Sequence, residues 1–269
     1  MATPSSSAAG TARAGASLAG RTVLVTGASK GIGAAIAAKL GAEGAHVIAH
    51  YGSDRAGAES ATRDLPADRK LLVSGDFSRL EEVEAVWRRA AEWRGGIDVL
   101  VNNAALMLFE GGVDEPIETW DSVWERTLQV NVLAPARLMR QAVLHFRARG
   151  AGVLITISSW AAQRGVTNPA TIAYGASKGA IHAATKTIAR AYAREGILAY
   201  TIAPGMVGTR LSEQFAATQG GKELVTSALA MGDWVPPEEI ADLVAYLSNG
   251  RSRHLSGATL DVNGASYVR

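Results

Sequence analysis

Short apolar runs rich in Val, Ile, Leu and Thr recur along the chain, and segments with a helical spacing of apolar residues separate many of them. Such alternation is typical of β-strands followed by α-helices. The strand pattern occurs at 22–26, 45–50, 71–75, 97–101, 152–158, 198–203 and 258–262. The helical pattern occurs at 34–40, 80–93, 120–146 and 174–194. In the third of these helical segments a bend is expected at Pro135.

Nearly continuous apolar strands are expected where helices cover both faces of a parallel sheet. The chain has 269 residues, of which 48% are hydrophobic, and this length suits one large domain rather than two full ones. The pattern therefore predicts an α/β fold, a single-domain Rossmann-type doubly wound parallel sheet of about seven strands with helices on both faces. This domain is expected to span residues 21–269. Residues 1–20, rich in small and polar residues and lacking the apolar segment of a secretory signal, are expected to form a mobile tail.

The charge pattern narrows the possible partners. The net charge is +2 and no long Lys/Arg block occurs, so no nucleic-acid partner is expected. No run of 18 apolar residues occurs, so no membrane span is expected. The five histidines lack metal-binding spacing, which predicts no metal site. The chain has no cysteine, which fits a cytoplasmic location.

A glycine-rich segment, TGASKGIG, lies between the first strand and the first helix and contains Gly27, Gly31 and Gly33. Without side chains, the backbone can turn sharply and approach a pyrophosphate, which then meets the free N–H groups of the helix start. The segment therefore indicates a nucleotide site. The alternative is that the glycines serve only the turn, since the spacing differs from the more familiar G-x-G-x-x-G.

Tyr174 and Lys178 are four residues apart on a predicted helix, so their side chains share one face. A free tyrosine has a pKa near 10, and a neighbouring ammonium or an oxidised nicotinamide ring would lower it. A general acid/base works best when its pKa lies near the working pH. The pair is therefore a candidate proton-transfer site, and its alternative is an exposed helix pair without chemistry.

Several motifs follow one another in an order that resembles the short-chain dehydrogenase/reductase family, over about residues 20–265. The similarity is to its single-domain members, including reductases of 3-oxoacyl thioesters. The motifs are TGASKGIG, Asp76 after the third strand, NNAA at 102–105, Asn131, Ser159, Tyr174 with Lys178, and PGMVGT at 204–209.

The resemblance implies an oxidoreductase that transfers a hydride between NADP(H) and a ketone or secondary alcohol, with Tyr174 as general acid/base. Lys178 would also bind the nicotinamide ribose, and Ser159 would donate a hydrogen bond to the substrate oxygen. Ser158 and Ser159 are adjacent and face opposite ways along a strand, and the family pattern favours Ser159. Asn131 would hold a water that links Lys178 to solvent, and its alternative is a hydrogen bond to the backbone.

The end of the second strand bears on cofactor choice. A carboxylate there would bind a ribose 2′-hydroxyl and repel a 2′-phosphate. Tyr51 occupies that position, and Lys30 and Arg55 are basic, so NADP(H) is expected rather than NAD(H). Asp54 leaves NAD(H) open, because a loop shift would bring it to the ribose.

Asp76 is expected to accept from the adenine amino group, or else to cap a helix. The full set of expected cofactor contacts is Gly27, Ser29, Lys30, Gly31, Ile32, Gly33, Tyr51, Gly52, Ser53, Arg55, Asp76, Phe77, Asn103, Ala104, Ala105, Tyr174, Lys178, Pro204, Gly205, Val207 and Thr209.

The segment 206–234 has weak periodicity and, in the family, lies over the substrate as a lid. An apolar substrate pocket is expected from Met107, Trp160, Met206 and Phe215. This composition favours an uncharged or acyl ketone, with Arg164 and Arg210 as candidates for holding an anionic group.

Family members of this size form tetramers or dimers, so a homo-oligomer is expected here. The alternative reading of the whole chain is a catalytically silent NADP(H)-binding scaffold or regulator of the same fold. Intact Ser159, Tyr174 and Lys178 argue against that alternative.

Overall fold

A computed structural model describes residues 18–268. Seven strands form its central sheet: β1 (Thr22–Val25), β2 (His46–Tyr51), β3 (Lys70–Ser74), β4 (Val99–Asn102), β5 (Gly152–Ile157), β6 (Ile197–Pro204) and β7 (Thr259–Val262). All neighbouring strands run parallel, in the order β3-β2-β1-β4-β5-β6-β7. The strand order reverses between β1 and β4, and a doubly wound sheet opens a ligand crevice at such a reversal.

Helices connect the strands within the described part of the chain. They are α1 (Gly31–Ala42), α2 (Arg55–Ala61), α3 (Leu80–Glu92), α4 (Ile117–Leu128), α5 (Ala134–Arg149), α6 (Ala161–Arg164), α7 (Ile172–Tyr192), α8 (Arg210–Thr218), α9 (Lys222–Ser227) and α10 (Pro237–Ser248). No helix in residues 18–268 is both long enough and apolar enough to cross a membrane.

Both faces of the sheet are buried, and β1 shows how. Val23 and Val25 belong to an apolar cluster with Ile36 of α1 and Val244 of α10. Leu24, between them, belongs to the opposite cluster, which contains side chains of α3, α5 and α7. Because neighbouring residues of a strand face opposite ways, an all-apolar strand requires helices on both sides. The structure therefore confirms the predicted doubly wound fold.

The long helical segment predicted at 120–146 is interrupted one turn before the expected bend at Pro135. Helix α4 ends at Leu128, a π-helical turn spans Gln129–Leu133, and α5 begins at Ala134. Pro135 is the second residue of α5, which directly follows this turn in a continuous run of helical backbone. The helix is therefore interrupted next to Pro135, by a π-turn centred on Asn131, and not at the proline itself.

The domain begins earlier than predicted. Leu18 is fully buried, and its N–H donates to the carbonyl oxygen of Glu43 at 3.1 Å. The boundary of the expected tail at residue 20 is therefore too late. The remainder of that tail, residues 1–17, lies outside the described residues.

The expected lid segment, 206–234, contains α8 and α9. Its two ends meet, because Val207 and Val235 form a parallel bridge and the N–H of Val235 donates to Met206 O at 2.8 Å. Segment 206–234 therefore forms one structural unit at the carboxyl end of β6, with its ends joined and two helices between them.

Candidate active site

The glycine turn forms the start of α1 and fits a phosphate group. A Cβ on Gly33 would lie 2.1 Å from the carbonyl oxygen of Gly27, so no larger residue fits there. Lys30, at the N-cap position of α1, makes no side-chain capping bond, and the first turn carries no acidic residue. The N–H groups of this turn are therefore available to an anion such as a dinucleotide pyrophosphate. The side chain of Ile32 packs against the core.

The opposite wall of the crevice comes from the end of β6. A Cβ on Gly31 would lie 3.1 Å from Thr209 Cγ2, so the two loops face each other closely. Thr209 is the N-cap of α8 and Val207 is buried. The N–H of Gly205 donates to Val262 O at 2.9 Å, which holds the loop after Pro204 against the end of β7.

The loop after β4 is tied to the glycine turn through Thr26. The Thr26 hydroxyl accepts from the N–H groups of Asn103, at 2.9 Å, and Ala104, at 3.0 Å. Asn103 Nδ2 donates in turn to the carbonyl oxygens of Thr26, at 2.8 Å, and Gly27, at 3.2 Å. Sequence reasoning missed Thr26, whose signal is a buried hydroxyl directly before the turn. Ala105, the next expected contact, is exposed.

At the end of β2, Asp54 is occupied as a helix cap. Its Oδ1 accepts from the N–H of Gly57 at 2.8 Å, at the start of α2, and its carbonyl oxygen accepts from Ser29 Oγ at 2.8 Å. Helix formation therefore supplies a structural role for the one carboxylate that left NAD(H) open. Tyr51 is largely buried, whereas Gly52 and Ser53 are exposed.

The two expected basic residues differ in their partners. Arg55 Nε lies 2.8 Å from Glu59 Oε1, one helical turn away on α2. The side chain of Lys30 is exposed and makes no hydrogen bond or ion pair with any residue in 18–268. Of the two, Lys30 is the cation that remains available to a ligand.

After β3, Asp76 organises a turn and does not cap α3. Its Oδ1 accepts from the N–H of Ser78 at 2.9 Å, and hydrogen bonds from Ser78 hold the pKa of the Asp76 carboxyl below its usual value. The N-cap of α3 is Arg79, so the helix-cap alternative is wrong. The ring of Phe77 is buried and stacks on His50, with centroids 4.0 Å apart, so its side chain belongs to the core.

Tyr174 and Lys178 lie on one face of α7, and both are influenced by burial. Lys178 Nζ is 5.6 Å from the centroid of the Tyr174 ring and donates to the carbonyl oxygen of Ile157 at 2.9 Å. Burial lowers the pKa of Lys178 to about 8. Burial raises the pKa of Tyr174, and a hydrogen bond with Ser159 opposes that rise. Burial and Ser159 are the causes of the shift, so the expected lowering of the tyrosine pKa by its lysine neighbour is absent in the protein alone.

The two serines after β5 point in different directions. Ser158 Oγ donates to the carbonyl oxygen of Lys178 at 3.2 Å and is buried. Ser159 Oγ accepts from the N–H of Ala161 at 3.1 Å and reaches the same cavity as Tyr174. Alternation at the end of the strand thus brings Ser159, and not Ser158, to the phenol.

Both polar atoms of the Asn131 side chain have partners in the protein. Its Oδ1 accepts from Leu106 N at 2.8 Å, and its Nδ2 donates to Leu106 O at 2.8 Å and to Ser177 Oγ at 3.0 Å. These bonds join the π-turn to the loop after β4 and to α7. The side chain therefore makes the backbone bonds that the sequence left as an alternative, and the expected role of Asn131 in holding a water stays a prediction.

A mainly apolar cavity of about 110 Å³, open to solvent, lies over Ser159 and Tyr174. All four expected pocket residues line it: Met107, Trp160, Met206 and Phe215. Arg164 is the one charged residue of the lining, and its guanidinium stacks 4.7 Å from a Trp160 ring centroid. Arg210 is not part of the lining. In residues 18–268 no group of three or more His, Asp or Glu side chains is arranged to hold a metal ion.

The fold and site define a class: a dinucleotide-binding α/β oxidoreductase with a tyrosine, a lysine and a serine at one cavity. A family model described as Enoyl-(Acyl carrier protein) reductase matches residues 27–265. This protein belongs to the short-chain dehydrogenase/reductase family. It is a hydride-transferring oxidoreductase that uses a nicotinamide cofactor.

Individual relatives agree over nearly the whole chain. 3Beta-hydroxysteroid dehydrogenase 1 of Eggerthella lenta is 35% identical over 250 residues, covering 92% of this chain and 94% of the relative. A solved structure of a putative NAD(P)-dependent gluconate 5-dehydrogenase from Beutenbergia cavernae, with bound NADP at low occupancy, has a TM-score of 0.83 and 32% identity, covering 93% and 98% of the two chains. A 3-ketoacyl-(acyl-carrier-protein) reductase from Brucella melitensis complexed with NADH has a TM-score of 0.82 and 27% identity, covering 93% and 99%.

Proposed function

We propose that this enzyme interconverts a ketone and a secondary alcohol with NADP(H), and that Tyr174 is its general acid/base. The observation that carries the proposal is the meeting of the Tyr174 and Ser159 hydroxyls in one apolar cavity, with Lys178 one helical turn from the tyrosine. Ser159 is largely buried and the cavity lining is mainly apolar, which strengthens hydrogen bonds from this site to a reacting oxygen.

Each residue has a defined task in the proposed reaction. When bound, the cofactor supplies the hydride in the reducing direction. Tyr174 donates its proton to the carbonyl oxygen and takes it back in the oxidising direction, while Ser159 donates a hydrogen bond to that oxygen. The raised pKa of Tyr174 keeps the phenol protonated at neutral pH, as a proton donor requires. Lys178 holds the ribose, and Asn131 positions α7 through Ser177.

The preference for NADP(H) over NAD(H) rests on charge at the end of β2. Lys30 is an available cation beside the glycine turn, and Asp54 is bound to the N–H of Gly57. A 2′-phosphate is therefore attracted there, and no available carboxylate favours a 2′-hydroxyl. Paired kinetics with one ketone test this preference. A kcat/KM higher for NADH than for NADPH would overturn it.

The proposed substrate is an uncharged or acyl ketone. Support comes from the four apolar residues of the cavity lining and from a relative named as a steroid dehydrogenase. A panel of apolar ketones, keto esters and sugars, assayed by NADPH consumption, tests this class. Turnover of anionic sugars alone would contradict it, and would direct attention to Arg164.

Replacing Tyr174 with phenylalanine tests the catalytic assignment. Loss of a general acid/base typically lowers the rate by about 10²–10⁴-fold, so kcat should fall by this much while NADPH binding, followed by fluorescence, is retained. Tyr192→Phe is the matched control, because it removes the same hydroxyl near the other end of α7. Unchanged turnover in Tyr174→Phe would refute the assignment. A wild type that binds NADPH but turns over nothing in the panel would favour the silent scaffold.

We also propose a homo-oligomer, a tetramer or dimer, in the cytoplasm. Leu133 and Leu144 are 49% and 46% exposed. They are eleven positions apart, Leu133 as the N-cap of α5 and Leu144 within it, so they share one face of this helix, where a second copy would cover them. Light scattering measures the assembly, and a monomer would contradict it.

A further inference from the structure

A buried histidine, His50, lies between the two loops that the proposed function assigns to the cofactor. It is the fifth residue of β2 and only 3% exposed. On one side its Nδ1 lies 3.1 Å from the N–H of Gly27, the first residue of the glycine turn. On the other side its Nε2 lies 3.0 Å from the carbonyl oxygen of Gly75, directly after β3. One imidazole thus joins both loops.

The two backbone partners fix the chemical form of the ring. The Gly27 N–H can only donate, so Nδ1 must carry no proton, and the Gly75 carbonyl can only accept, so Nε2 must carry one. The imidazole is therefore neutral, in the Nε2–H form. Burial agrees with this assignment, because it lowers the pKa of His50 to about 4.

Packing holds the ring in its plane. Phe77, from the loop after β3, stacks on the imidazole with centroids 4.0 Å apart and planes 12° apart. Backbone bonds run alongside: Ala28 N donates to His50 O at 2.8 Å, and Gly75 N donates to Tyr51 O at 3.0 Å. The ring therefore has little freedom to rotate, and each of its nitrogens has one backbone partner.

We propose that His50 is a positioning residue for cofactor binding, with its neutral imidazole holding the glycine turn and the loop after β3 at the separation that the dinucleotide requires. This inference rests on the proposed function of those two loops. His50 acts through Gly27 and Gly75 and touches none of the reacting atoms. Its loss should therefore weaken cofactor binding and leave the chemical step unchanged once the cofactor is saturating.

Three substitutions separate the contributions of the ring. His50→Phe keeps an aromatic ring against Phe77 and removes both hydrogen bonds. His50→Asn places an acceptor near the position of Nδ1, and so retains a partner for the Gly27 N–H. His50→Gln places a donor near the position of Nε2, and so retains a partner for the Gly75 carbonyl. A buried N–H without a partner is costly, so binding should depend on the Gly27 bond most strongly.

The dissociation constant of NADPH, measured by fluorescence, and kcat at saturating NADPH are the two readouts. We expect His50→Phe to raise the dissociation constant about tenfold or more, with kcat within about twofold of wild type. His50→Asn should recover most of the affinity, and more than His50→Gln does. An unchanged dissociation constant in His50→Phe, or a fall in kcat without a change in binding, would overturn the proposal.

His145→Phe is the matched control for a general loss of stability. His145 Nε2 accepts from the N–H of Ile97 at 3.1 Å, before β4 and thus at the sheet end opposite the glycine turn. Thermal unfolding identifies variants that fail to fold. If His50→Phe does not fold, His50→Asn still tests the proposal. If His145→Phe weakens NADPH binding equally, the positioning role is refuted. A failure of the proposed function gives a different result from a failure of this inference. In that case the wild type itself would not bind the cofactor, or Tyr174→Phe would keep its turnover.

Discussion

The buried ammonium of Lys178 makes the stability of this protein depend on pH in a calculable way. Its side chain is 5% exposed, and folding lowers its pKa from 10.5 to about 8. Between these values the unfolded chain binds more protons than the folded chain, so stability should rise with pH across that window. At about 1.36 kcal/mol per pKa unit, the charged lysine costs the folded state about 3 kcal/mol at pH 7.

Lys178→Met removes this cost, because methionine has a similar length and no charge. The substitution also leaves the carbonyl oxygen of Ile157 without its donor at 2.9 Å, which costs about 1–3 kcal/mol at every pH. The gain from removing the buried charge and the loss of this hydrogen bond nearly cancel at pH 7. They no longer cancel as the pH rises. Linkage gives the wild type about 2 kcal/mol of extra stability between pH 7 and pH 9.5 that the variant cannot gain.

Urea unfolding of the full chain without added cofactor, at pH 7 and pH 9.5, measures this difference. Every other titrating group is common to both proteins, so the change in their stability difference reports Lys178 alone. Lys186→Met is the control, since Lys186 is exposed on the same helix and its loss should show no such pH dependence. If the wild type and Lys178→Met differ by the same free energy at both pH values, the lysine is not charged and buried as described.

Three further substitutions test the site. Gly33→Ala would place a Cβ 2.1 Å from Gly27 O and should weaken NADPH binding at least tenfold. Gly179→Ala is the control, because its Cβ would meet only one contact, at 3.7 Å. Equal NADPH binding by the two variants in titrations would contradict the tight turn. Lys30→Ala should lower kcat/KM for NADPH about tenfold and leave that for NADH unchanged; an equal fall with both cofactors would exclude selective 2′-phosphate contact. Phe215→Ala should raise the KM for apolar ketones about tenfold with little change in kcat, because an apolar contact with the substrate is lost. A fall in kcat alone would contradict this and place Phe215 in the chemical step.

The sheet could be predicted because its signal is local. A strand buried on both faces must be apolar throughout, and each predicted strand lies within about two residues of the observed one. The π-turn could not be predicted, because it depends on bonds from Asn131 to Leu106 and Ser177, which are distant in sequence. Helix α2 was also missed, since it is short, contains Gly57 and depends on its Asp54 cap.

The candidate site divides in the same way. Glycines before a helix and a tyrosine four residues before a lysine are visible as spacing, so the turn and the pair at Tyr174 and Lys178 were found. Thr26 and His50 were not, because a single polar residue in an apolar strand looks like many others until its backbone partners are known. The raised pKa of Tyr174 in the protein alone was not predicted, because spacing reveals a charged neighbour and does not reveal burial.

Burial moves the two groups of the proton-transfer pair toward the same neutral condition. The raised pKa of Tyr174 favours the protonated phenol. The lowered pKa of Lys178 makes its ammonium group lose a proton more easily. The protonation states of a buried pair of this kind change easily, because a charge brought close in a region of low dielectric acts strongly. A positive charge beside the phenol favours its ionised form, whereas a neutral neighbour leaves the proton in place. One site can therefore donate a proton during reduction and accept one during oxidation, and the charge beside it selects the role.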